Sequence, residues 1–199
     1  MISTADVVPP ELLADLKRRH AEPHRHYHDW THVEALLAHA RGAQELIADQ
    51  RAVVLAILFH DAIYDPIASD NERRSAQLLI DLMPSAMDAS LETARRMILA
   101  TEGHRLPSDL QGTQRDDAAL FLDMDIAILG APAPWFDRYE EQIRREYAFV
   151  PEDAYRQGRA NVLRGFAQRE PIYVTNWGRA GFEEQARQNL ARSIARLNA

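Results

Sequence analysis

Apolar residues recur at spacings of three and four along most of the chain, which lays them on one face of an α-helix. Alternating strand patterns and Asn-Gly or Asp-Gly hairpin signals do not occur in the sequence. Pro9-Pro10 opens a first helix running to about His20, since proline fits the first helical turn. Residues 22–30, rich in His, Pro and aromatics, read as an irregular loop. Thr31 then caps a helix from His32 to about Ala48, with Glu34 completing a capping box. The run Val53 to Tyr64 is apolar on every face except at His60-Asp61 and predicts a buried helix over 50–64, ended by Pro66.

A second capping box, Ser69-Asp70-Asn71-Glu72, starts a helix to about Leu82, which Pro84 breaks. Ser85 to Asp88 offer the next start, for a helix through Thr101. After a loop containing Gly103, Pro107, Ser108 and Gly112, a helix is predicted over 116–129, stopped by Gly130 and Pro132. Three more follow, over 135–149, 151–169 and 181–197. The pattern predicts an all-α chain of about eight or nine helices. It contains no internal repeat and no long linker, so it reads as a single domain spanning 1–199.

Composition narrows the function. An apolar content of 46% is enough for a full core. A net charge of −7 argues against a duplex nucleic-acid binder, which needs a basic face. It leaves room for a small phosphorylated substrate, because a metal and a few arginines supply positive charge locally. The absence of cysteine excludes disulfides, thiolate zinc sites and cysteine nucleophiles. The N-terminus has no signal-peptide pattern, and no apolar run approaches the roughly 20 residues that span a bilayer. The expectation is a cytoplasmic protein that does not bind membranes; a homo-oligomer is compatible with the sequence.

The candidate chemistry begins at His60-Asp61. Two polar side chains in a buried run cost free energy unless something pairs with them. A metal is one partner, binding neutral imidazole and ionised carboxylate directly. The bland alternative is an imidazole bonded to a carbonyl beside a carboxylate at a fraying helix end. Upstream, His32 begins a predicted helix, with His28 four residues earlier in the loop. Downstream, Asp123 and Asp125 both lie in apolar text and point about 200° apart on a helix. Asp125, flanked at helical spacing by Phe121, Leu122, Ile128 and Leu129, is the better ligand candidate; a salt bridge to arginine is the alternative for either.

The ordered set His32, then His60-Asp61, then Asp125 resembles the signature of the HD superfamily of metal-dependent phosphohydrolases. Four segments resemble more closely a small bacterial branch described only as predicted phosphohydrolases: Tyr27 to His32, Phe59 to Asp65, Asn71-Glu72 with Ser75-Ala76, and Leu122 to Gly130. Tyr155, Gly158-Arg159 and Val162-Leu163 are similar as well, so the likeness covers about residues 24–173, with the helix over 181–197 beyond it. The resemblance implies an HD-type helical bundle with His32, His60, Asp61 and Asp125 as metal ligands, and His60 and Asp61 at the catalytic centre. It implies hydrolysis of a small phosphate ester, nucleotides among the candidates, by metal-activated water. The fuller two-metal pattern of the family has further histidines where this chain offers only His104, which favours one ion.

Mixed imidazole and carboxylate ligands suit Mn²⁺, Fe²⁺ or Co²⁺, with Zn²⁺, Mg²⁺ and Ni²⁺ also open. His28, Glu72, His104, Asp123 and Arg159 are candidates for touching substrate or for supporting the ligands. Each also has a structural reading, such as a capping role for Glu72 or a solvated side chain for Arg159. Two other functions stay open. One is a non-catalytic module that binds metal or nucleotide; the other, needing a di-iron site with more histidines, is an HD-type iron oxygenase.

Overall fold

The computed structural model describes residues 3–83 and 88–199, and among these every regular element is a helix, without strands. The all-α expectation holds. Among the described residues are ten α-helices: α1 Thr4–Val7, α2 Pro10–Arg19, α3 Trp30–Gly42, α4 Gln50–Phe59, α5 Asn71–Leu82, α6 Ala89–Ala100, α7 Gly112–Asp125, α8 Ala133–Glu146, α9 Glu152–Ala167 and α10 Asn176–Asn198. Short 3₁₀ turns follow α3, at Gln44–Leu46, and α7, at Ala127–Gly130. The predicted break at Pro84 and start at Ser85 lie outside the described residues, although Asp88 does cap α6 through Ser90 N. Among the described residues no helix is long and apolar enough to cross a membrane.

The chain forms two compact units, Met1–Met124 and Asp125–Ala199. In the first, α4 is the central helix. Every residue from Ala52 to Phe59 is buried, as an all-apolar run requires, and α4 packs against α1, α3, α5 and α6. Its N-terminus is held from far along the chain. Asp49 caps Ala52 N at 2.9 Å, and the buried carboxylate of Asp117, on α7, accepts from Ala48 N and Asp49 N at 2.9 and 2.7 Å.

The second unit packs α10 against α9 and against the 3₁₀ turn, over a core of Ile126, Leu129, Phe136, Leu163, Ile172, Tyr173, Ala186 and Leu190. Tyr173 donates its hydroxyl to Ile126 O at 3.1 Å, and Asn189 donates to Leu129 O and Ala131 O at 2.9 and 2.8 Å, so the buried polar groups are paired. At Gly130 a β-carbon would lie 2.5 Å from Phe182 O, so only glycine allows this close approach.

Several boundaries differ from the sequence pattern, each for a local reason. The cap of α3 is Asp29, not Thr31: its carboxylate accepts from Thr31 N at 2.8 Å and from the Thr31 hydroxyl at 2.5 Å. A carboxylate is the stronger acceptor, so the helix starts two residues early and places His32 in its first turn. The Ser69 capping box also does not form, because α5 has Asp70 at its N-cap. The short α1, capped by Ser3 and Asp6, went unread because four residues carry no periodicity. Thr175, accepting from Gly178 N at 3.0 Å, starts α10 five residues before the predicted Gly181.

The most consequential difference is at α4. The predicted helix over 50–64 stops at Phe59, and residues 60–64 leave it in turns. Their backbone groups are taken elsewhere. The buried Ser75 hydroxyl accepts from Ile63 N at 3.0 Å and donates to Ile63 O at 3.2 Å, while the carbonyls of Asp61 and Ala62 face Arg25. His60 and Asp61 are therefore a helix end rather than a mid-helix pair.

Candidate metal centre

His60 is the C-cap of α4, where the unpaired carbonyls of the last turn favour positive charge. Its ring is 1% exposed, and Nδ1 stands 3.0 Å from Ile57 O. A carbonyl can only accept, so Nδ1 carries the proton and Nε2 turns its remaining valence inward. That Nε2 lies 3.1 Å from His32 Nε2 and 3.1 Å from Asp61 Oδ2. His32 Nε2 and Asp61 Oδ2 are 3.9 Å apart.

One ligand atom from each of His32, His60 and Asp61 falls within 4.8 Å of the other two. Atoms bound to one ion at about 2.1 Å stand about 3 Å apart when adjacent on an octahedron and about 3.4 Å apart on a tetrahedron. The observed spacings suit such a set. With the Nδ1 proton of His60 committed to Ile57, the three converging atoms are electron-rich and need a shared proton or a cation between them. Burial alone would raise the Asp61 carboxyl, but the imidazoles of His60, His28 and His32 hold it well below the usual carboxylate range. The carboxylate is thus kept in its ligating form.

Aromatic rings wall the three side chains. Phe121 meets His60 edge-on at 5.9 Å between centroids, and Tyr27 lies 4.8 Å from His32. His28 stacks on Tyr64 at 4.3 Å and stands 6.1 Å from the His32 ring. His28 thus lies at the margin of the centre, in the loop before α3, as the sequence reading placed it. His24 closes the same edge, its Nε2 2.8 Å from Tyr64 O.

The other candidates are placed as follows. Glu72 lies half-buried in the first turn of α5. His104 follows α6 in a turn with a left-handed φ of 45°. Asp123 and Asp125 are both buried, at 1% and 9% exposure, so apolar surroundings do not separate them. Asp123 belongs to the first unit; Asp125 is the first residue of the second. Arg159, also in the second unit, is paired with Glu140, and its guanidinium lies 5.0 Å over the Tyr139 ring. Burial opposes its charge, but Tyr139 and Glu140 hold it firmly protonated.

Sequence reasoning missed two buried groups beside this centre. Arg25, in the loop before α3, has a fully buried side chain. His20, at the end of α2, donates Nδ1–H to Leu16 O at 2.9 Å, meets Trp30 edge-on at 5.5 Å and leaves its Nε2 buried without a hydrogen-bond partner. No periodicity or spacing marks either residue. Comparison of the chain with protein-family models, with curated proteins and with solved structures finds no match.

Proposed function

We propose that the chain is a metal-dependent phosphohydrolase acting on a small phosphate ester. The observation that carries this reading is the convergence of His32 with the adjacent pair His60-Asp61, 28 positions later in the sequence, with their ligating atoms 3.1 to 3.9 Å apart. The donor set, two imidazoles and one carboxylate, fits Mn²⁺, Fe²⁺ or Co²⁺. A divalent metal bound there would supply Lewis acidity and a water of lowered pKa. His60 is fixed in one tautomer by Ile57 O, so its Nε2 stays available as a ligand. Asp61, kept ionised by its imidazole neighbours, would bind the metal and hold the attacking water through a carboxylate oxygen. The family resemblance in the sequence adds Asp125 as a further ligand and supplies the phosphate-ester chemistry.

Metal analysis of the purified protein, followed by a panel of phosphate mono- and diesters assayed with Mn²⁺ and Co²⁺, tests the proposal. Turnover that requires metal and disappears in Asp61→Asn is the expected result. Metal uptake without turnover on any ester would make the chain a binding module instead. About two irons per chain would point to oxygenase chemistry.

A further inference from the structure

Arg25 is a buried cation beside the proposed centre whose hydrogen bonds run within its own loop and to the segment that leaves α4. Its Nε donates to Glu22 at 3.0 Å. Nη1 donates to Asp61 O at 2.6 Å and to His28 O at 3.1 Å, and Nη2 reaches Ala62 O at 3.4 Å. The guanidinium also lies 5.4 Å over the Tyr64 ring, on which His28 stacks. A buried arginine is costly unless its donors are filled, and here they are filled mainly by backbone carbonyls.

Two features separate this arrangement from ordinary packing. The carbonyls belong to Asp61 itself, to the next residue and to His28, so one planar group ties the loop before α3 to the segment that leaves α4. And Asp61 gives Arg25 its backbone oxygen, while its carboxylate oxygen lies 3.1 Å from His60 Nε2. The bracket fixes the Asp61 backbone without consuming the ligating atom. A lysine, with a single nitrogen and no planar fork, cannot span three carbonyls in this way.

We infer that Arg25 is a positioning residue for metal binding: it sets the Asp61 carboxylate against His60 and holds the His28–Tyr64 wall beside them. The inference rests on the metal-site reading above and adds to it a residue that touches neither metal nor substrate. Loss of such a supporting partner typically weakens metal affinity about 10- to 100-fold.

The test is Co²⁺ titration, read by the visible absorption of the bound ion, on the wild type and on Arg25→Lys, Arg25→Met and Arg25→Ala. Arg187→Met is the matched control. Arg187 makes a similar carbonyl bracket in the second unit, to Ala167 O and Arg169 O at 2.7 and 2.6 Å, so its loss removes the same kind of bracket without touching the Arg25 loop. Arg25→Met should bind Co²⁺ about tenfold or more weakly and shift its absorption bands, with Arg25→Lys in between. Guanidinium added to Arg25→Ala should recover affinity, and Arg187→Met should bind as the wild type does. Should Arg25→Met fail to fold, Arg25→Lys and the guanidinium rescue carry the same comparison. Wild-type affinity and spectrum in Arg25→Met overturn the role of Arg25 alone, as does an equal loss in Arg187→Met. A wild type that takes up no Co²⁺ overturns the metal-site reading and this inference with it.

Discussion

At the scale of single residues, burial and hydrogen bonding decide more than residue type. His20 illustrates this. Burial pushes its imidazole down to about 4; the bond to Leu16 O works against this, and the charge of Arg25 adds to it. An unfolded histidine titrates near 6.5, so between about pH 6.5 and 4 the unfolded chain takes up a proton that the folded chain refuses. Stability from this group is therefore complete above about pH 6.5 and is lost as pH falls toward 4, by about 3 kcal/mol in all. Urea midpoints at pH 7, 5.5 and 4.5 should fall less steeply for His20→Phe than for the wild type; parallel curves would remove His20 as the cause. Asp123 and Asp125 pose a different question, since both are buried and two residues apart on α7. A helix turns them about 200° apart, so one replacement should affect metal far more than the other. Asp125→Asn is expected to weaken Mn²⁺ binding, because an amide is the poorer ligand, and Asp123→Asn to retain most of it. The reverse result in paired titrations would make Asp123 the ligand.

Among the elements, the helices were legible and their ends were not. Apolar residues at three and four spacing placed nine of them, because one buried stripe per helix leaves a periodic trace. Ends depend on which polar group wins a backbone N–H or carbonyl, and the winner is often distant. Asp29 displaced Thr31 as a cap within reach of sequence reasoning, but Ser75 holds the segment that leaves α4, at Ile63, from twelve positions away. Replacing that hydroxyl makes the point measurable. Ser75→Ala leaves Ile63 N–H and C=O without their partner in a closed setting and should cost about 2 kcal/mol in chemical denaturation, well beyond a surface substitution. A cost under about 0.5 kcal/mol would mean that these groups find other partners easily. The candidate site was legible where a polar pair interrupted an apolar run, at His60-Asp61. The approach of His32, 28 residues earlier, was legible only through the ordered motif. Arg25 was not legible at all, since it acts on carbonyls 36 and 37 positions away, which any residue could present.

For the whole molecule, the proposed metal should act as a ligand of the folded state alone. At a hundredfold excess over its dissociation constant such a ligand adds about 2.7 kcal/mol. For a chain of 199 residues, that corresponds to a rise of about 5 to 10 °C in melting temperature. Calorimetry with Mn²⁺ or Co²⁺, reversed by a chelator and lost in His60→Ala, would match this; an unchanged melting temperature at saturating metal would not. The two compact units also give sequence and structure different emphases. The chain reads as one stretch of helices without a linker, and the unit boundary falls inside α7, between Met124 and Asp125, where no glycine, proline or polar run announces it.

The carboxylate of Asp117 has a kinetic consequence. It covers the amide hydrogens of Ala48 and Asp49, which sit in the loop entering α4 and come from residues that are exposed and half-exposed. Loop amides of that kind normally trade hydrogen for deuterium through small local fluctuations. These two can do so only when a side chain nearly 70 positions away withdraws, so their exchange clocks the undocking of α7 from the loop rather than fraying of the loop itself. Both should exchange slowly and at a common opening free energy, together with the amides of α7. Asp117→Asn, which turns one acceptor into a donor facing an N–H, should speed the pair selectively. Independent, fast exchange of the two amides in the wild type would show that the loop opens on its own.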